Sequence, residues 1–78
     1  MDRWTPWIRP GDVVELDHRA GNDQRFAGGG WWGQVAAVQP ARYAPGWVYV
    51  DVDLLDQYGK PGDRVLVFSC RDWLAVRR

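Results

Sequence analysis

The sequence predicts an all-β fold, a small five-stranded barrel with a one-turn helix before the last strand. Three observations carry this reading. β-branched and aromatic residues gather in short runs at 13–16, 31–38, 47–55, 65–68 and 74–77. Clusters of Gly, Pro and Asp separate the runs, and no stretch carries the 3.6-residue apolar period of an amphipathic helix. At 78 residues the chain is also too short to pack a sheet against a layer of helices. A domain of this size buries only about 60 % of the surface its unfolded chain exposes, so every large apolar side chain counts. Six Trp, three Tyr and two Phe answer that need, because a few aromatic side chains fill a narrow interior.

Residues 1–10 read as an extended N-terminal arm, with the barrel expected over 11–78. Pro6 and Pro10 remove backbone donors and push Thr5 and Arg9 toward extended conformations. Trp4 and Trp7, three residues apart, would share one side of a polyproline II helix. Pro10-Gly11-Asp12 is turn chemistry, and the strand after it places Val14 and Leu16 on one face. Residues 18–30 show no apolar period and end in Gly28-Gly29-Gly30, which predicts a long loop with a flexible hinge. No Lys-Ser or Lys-Thr follows those glycines, so they do not form a phosphate-binding loop.

The strand over 31–38 carries small residues at Gly33, Ala36 and Ala37, where a tightly curved sheet needs close backbone approach, and Gln39-Pro40 ends it. Residues 47–54 give the cleanest alternation in the chain. Val48, Val50, Val52 and Leu54 are predicted to point inward, leaving Trp47, Tyr49, Asp51 and Asp53 as an outward row. Residues 56–63, with Gly59 and Pro61-Gly62, read as the next turn. Val65-Leu66-Val67-Phe68 follows as a nearly continuous apolar strand, and residues 69–73 fit one helical turn capped by Ser69.

Composition narrows the function classes. Ten basic and ten acidic residues cancel, which argues against the electrostatic footprint of a non-specific nucleic-acid binder. Cys70 is alone, so no internal disulfide forms, and with His18 the only histidine no zinc site or Cys-His couple is expected within one copy. No cofactor or metal is expected. The apolar runs fall far short of a membrane span and the N-terminal residues carry charge and proline, so the expected location is the cytoplasm.

The motifs Gly11-Asp12-Val13-Val14-Glu15-Leu16, Gly30-Trp31-Trp32-Gly33-Gln34-Val35, Val48-Tyr49-Val50-Asp51 and Trp73-Leu74-Ala75-Val76-Arg77 follow the order of an SH3-like barrel. Together they resemble the Agenet and Tudor group of the Royal superfamily. That resemblance implies a non-enzymatic module that binds peptides or methylated side chains through an aromatic cage. Trp32 matches the cage aromatic of the second strand, whereas His18, Asp51 and Leu54 stand where further rings would be. One ring does not enclose a cation. A more distant resemblance is to the plasmid-borne type II dihydrofolate reductases, whose pore segment aligns with Val65-Leu66-Val67-Phe68. Here Leu66 and Phe68 replace the polar Gln and Tyr of that segment, and a ligand's buried polar atoms would lose their partners.

Asp51 and Asp53 share a face roughly 7 Å apart by strand rise, within the carboxylate spacing of glycosidases. A carboxylate pair with neither burial nor a walled cleft has no means of raising a catalytic pKa, so no enzyme is expected. Cys70, beside Ser69 and Arg71, reads as a packed thiol. The expected site is Trp32, Trp47, Tyr49, Asp51 and Asp53 on one outer face, where rings stack on guanidinium groups and carboxylates pair with the charge. The expected partner is a protein or peptide segment bearing Arg or Lys, with self-association into a homo-oligomer as the competing use of the same rings. The alternative is nucleic-acid binding through Arg3, Arg9, Arg71, Arg77 and Arg78. The third is an enzyme whose pore forms between subunits.

Overall fold

The structure is a computed structural model and describes residues 7–19, 24–70 and 74–77, with Ala75 and Arg77 described by backbone alone. Its strands in chain order are β1 (Val13–Leu16), β2 (Trp31–Pro40), β3 (Trp47–Leu55), β4 (Pro61–Cys70) and β5 (Ala75–Arg77), with one 3-10 turn at Gln24–Phe26. They form a single antiparallel sheet of five strands in the order β4-β3-β2-β1-β5. The first four strands are a meander. β5 then returns to the far side of β1.

The ten-residue β2 gives the sheet its shape. Residues 31–34 pair with β1, residues 33–40 pair with β3, and the register slips between Val35 and Ala37. An extra residue on one strand bends it and sharpens its twist. β2 therefore pairs with β1 along its first four residues and with β3 along the rest, both partners meeting it at Gly33 and Gln34. The sheet curls as a consequence, because Val14 and Leu16 of β1, Val50 and Val52 of β3 and Val67 of β4 all join one buried cluster. A flat sheet would hold β1 and β4 two strands apart. Curling is made possible at Gly33, which is buried: a Cβ there would stand inside the van der Waals shell of Val52 Cγ1 and 3.3 Å from the Asp53 carbonyl oxygen.

The alternation predicted for β3 is present. Val48, Val50, Val52 and Leu54 are buried, while Trp47, Asp51 and Asp53 are half-buried and Tyr49 is exposed. β1 likewise buries Val14 and Leu16. Two contributions to the core come from segments with no strand pattern. Ile8 and Phe26 are both buried, and Phe26 meets Trp31 edge-on with ring centroids 5.5 Å apart. Phe26 thus anchors the long loop that reads as unpatterned, because one large side chain leaves no periodic trace.

β4 departs most from the sequence reading. It begins at Pro61, inside the expected turn, because the β3–β4 connection closes tightly around Asp56. The Asp56 carboxylate accepts the Tyr58 and Lys60 N–H groups at 2.8 and 2.9 Å, and Gly59 takes a φ of +80° that other residues rarely adopt. β4 is also not apolar on both sides for burial's sake. Val67 and Ser69 point into the core, whereas Leu66 and Phe68 face out.

Ser69 lies inside β4 as a buried strand residue, not as a helix cap, because its side chain falls on the inward parity set by Val67. Most of the expected helical turn, residues 71–73, lies outside the described residues. The Cys70 carbonyl does accept the Leu74 N–H at 3.2 Å across that gap. Among the described residues no helix is long and apolar enough to cross a membrane.

Candidate functional site

The outer face of β3 and β4 is assembled by register. Tyr49 stands opposite Phe68, Asp51 opposite Leu66 and Asp53 opposite Arg64, while Trp47 stands opposite Cys70. Directly opposed residues share a face of the sheet, so two rows of outward side chains lie side by side. Trp47 stacks on Phe68 with ring centroids 4.8 Å apart and planes at 16°, and Tyr49 leans on the same ring at 5.0 Å and 42°. Three aromatic rings therefore form one platform. Tyr49 is 42 % exposed, Phe68 37 % and Leu66 65 %, so the platform and its aliphatic neighbour are open to solvent.

Two shallow grooves flank Tyr49. The first, of about 300 Å³, is lined by Ala37, Gln39, Tyr49, Asp51 and Leu66. Its floor is low because Ala37 of β2 stands opposite Asp51, where a larger side chain would fill the space. The second, of about 340 Å³, lies toward the β2–β3 connection and is lined by Ala41, Arg42, Tyr43, Ala44, Tyr49 and Phe68.

The two carboxylates of the outward row have different fates. Asp53 accepts two hydrogen bonds from the Arg64 guanidinium, at 2.7 and 3.2 Å. That guanidinium holds the Asp53 carboxyl below the usual carboxylate range. A general acid needs the opposite direction. Asp51 makes no hydrogen bond or ion pair among the described residues, although its charge reaches Arg64. Asp51 is thus the carboxylate of this face available to an incoming cation.

Trp32 shares the outward parity but not the neighbourhood. Its partner across the ladder is Glu15 of β1, and the adjoining pairing of Gly33 with Leu54 puts it level with the end of β3. Six residues of strand, roughly 20 Å, separate that level from Tyr49. The five expected site residues therefore divide into Trp47, Tyr49 and Asp51 at the platform, Asp53 tied to Arg64, and Trp32 remote. Phe68 and Leu66 take the places that sequence reading left empty. The available signal was their parity relative to Val67, hidden because apolar residues occupy both faces of the run.

Of the arginines in the alternative nucleic-acid surface, Arg3, Arg71 and Arg78 lie outside the described residues, and Arg77 is described only by its backbone pairing with Val13. Arg9 sits in an exposed turn, its N–H donating to the Asp12 carboxylate at 2.9 Å. His18 is exposed, between Asp17 and Arg19, which pair at 2.9 Å. The Arg19 hydrogen bond lowers the Asp17 pKa. Among the described residues no three His, Cys, Asp or Glu side chains gather where a metal ion could be held. No protein-family model, curated protein or solved structure matches this chain.

Proposed function

We propose that the chain is a small SH3-like barrel acting as a non-catalytic protein-interaction module, and that the outer face of β3 and β4 grips a protein segment carrying Arg or Lys. One observation carries this reading: the exposed Tyr49 ring borders a groove whose wall includes the aliphatic Leu66 and the Asp51 carboxylate, which makes no hydrogen bond or ion pair among the described residues. A long basic side chain lays its methylenes along Leu66 and Ala37, its cation against the Tyr49 face, and its charge toward Asp51. Arg is favoured over Lys because a planar guanidinium stacks on the ring and bonds a carboxylate at the same time. The second groove, beside Phe68 and Tyr43, accepts the flanking residue of the bound segment. The resemblance to Agenet and Tudor modules points to the same class of ligand, although this platform is built from other positions.

Each contribution is modest. A cation on an exposed ring contributes about 0.5–1 kcal/mol and an exposed ion pair a similar amount, so one such contact changes affinity by several-fold and no more. Titration of an Arg-bearing peptide against its Gln-substituted counterpart, followed by calorimetry, tests the reading. The Arg peptide should bind several-fold tighter, and Asp51→Asn and Tyr49→Ala should each remove that advantage with the fold intact. Equal affinity for the two peptides, or an unchanged preference in Asp51→Asn, would overturn it.

A further inference from the structure

Among the described residues β4 pairs with β3 alone, so along its other edge the backbone N–H and C=O groups have no ladder partner. The opposite end of the sheet is β5, only three residues long, and shortness itself protects an edge. β4 is ten residues long. Its first half carries the usual guards, with Pro61, Asp63 and Arg64 all exposed. Residues 65–70, Val-Leu-Val-Phe-Ser-Cys, carry neither charge nor proline, and Leu66 and Phe68 leave apolar surface beside the bare edge.

We propose that this edge joins two copies of the chain, with residues 65–70 of each pairing antiparallel about a two-fold axis at Val67. The segment is self-complementary. A two-fold axis normal to the sheet keeps outward side chains on one side, and placing it at Val67 sets Leu66 opposite Phe68 of the second copy, twice over. Moving the axis to Leu66 would set Arg64 against Phe68 of the second copy and draw its guanidinium from Asp53. The Val67 axis instead sets Arg64 opposite Cys70 and leaves the Arg64–Asp53 pair undisturbed.

Charge points to a second copy as the occupant. A basic strand would find no carboxylate on residues 65–70, and two copies of a chain with ten basic and ten acidic residues do not repel. The pairing leaves Asp51 and the Tyr49 ring on the assembled surface and shares Leu66 with the groove beside them, so the two proposals meet at that one side chain and are tested by different substitutions. A strip six residues long covers less than the roughly 1,600 Å² of a standard interface, so the dimer is weak, with dissociation at about micromolar concentration or above.

Light scattering across a concentration series should give a molar mass rising from one copy toward two. Leu66→Lys, at a position 65 % exposed, should return the protein to one copy with its thermal melt retained. A cross-linking experiment gives the register. In a Cys70→Ser background, Leu66→Cys mixed with Phe68→Cys should form a disulfide-linked heterodimer in several-fold excess over either variant alone, because opposed strand residues lie within disulfide reach. A single-copy mass at every soluble concentration would overturn the proposal. So would a dimer that Leu66→Lys leaves intact and that shows no preference for the mixed disulfide. Neither result depends on Asp51→Asn, whose peptide titration tests the basic-segment reading by itself.

Discussion

Trp47 lies flat on Phe68, one strand over and two residues along, with planes only 16° apart. Trp47 is level with Cys70 and Phe68 with Tyr49, so the contact is diagonal across the β3–β4 ladder. A diagonal neighbour is normally too far for small side chains and within reach of aromatic ones. This contact fixes the platform from which Tyr49 projects.

The stack should be measurable as a coupling. In a double-mutant cycle of Trp47→Ala and Phe68→Ala, read by urea unfolding, the interaction energy should be about 0.5–1.5 kcal/mol, the usual contribution of an aromatic pair beyond its area burial. A coupling near zero would mean that the rings do not meet in solution.

Gly33→Ala should be among the most damaging single substitutions. The new methyl would press on Val52 Cγ1 and the Asp53 carbonyl, and overpacking of this kind costs about 1–3 kcal/mol. Placed in a Val52→Ala background the same change should cost clearly less, since the atom in its way is gone. Equal cost in both backgrounds would locate the constraint elsewhere.

Ser69→Ala should stabilise the protein. The hydroxyl is buried with no hydrogen-bond partner among the described residues, and an unsatisfied buried polar group costs about 1–3 kcal/mol. A rise in the urea midpoint with unchanged slope is the expected result. A fall would show that the hydroxyl has found a partner.

The Asp53–Arg64 pair predicts a pH dependence of definite sign. Because Arg64 lowers the folded-state pKa of Asp53, the pair's contribution is complete above the ordinary carboxylate value of about 3.9 and is lost as pH falls through the lowered folded value. Wild type should exceed Asp53→Asn in melting temperature at neutral pH, and the gap should close in strong acid. High salt should narrow it as well, since both side chains meet solvent. A gap that widens on acidification would contradict the pairing.

The β3 alternation shows how much was readable in advance. Val48, Val50, Val52 and Leu54 could be set inward and Tyr49 outward from residue type alone, because one-sided burial imposes a period of two that the chain displays directly. β4 could not be read in this way. Leu66 and Phe68 are as apolar as Val65 and Val67, so the face each would choose was invisible until pairing with β3 set it. The buried Phe26 was hidden for a related reason, since an isolated anchor in a loop has no period.

By itself, then, the sequence determined local things: five short extended segments and the two faces of β3. Those follow from side-chain sterics and from the alternation of apolar with polar residues, which act over a few positions. The tertiary structure decided which outward residues are neighbours. It brought Phe68 and Leu66 beside Tyr49 and Asp51, tied Asp53 to Arg64, and carried Trp32 away, because ladder register and the bend in β2 arise from contacts between residues distant in the chain.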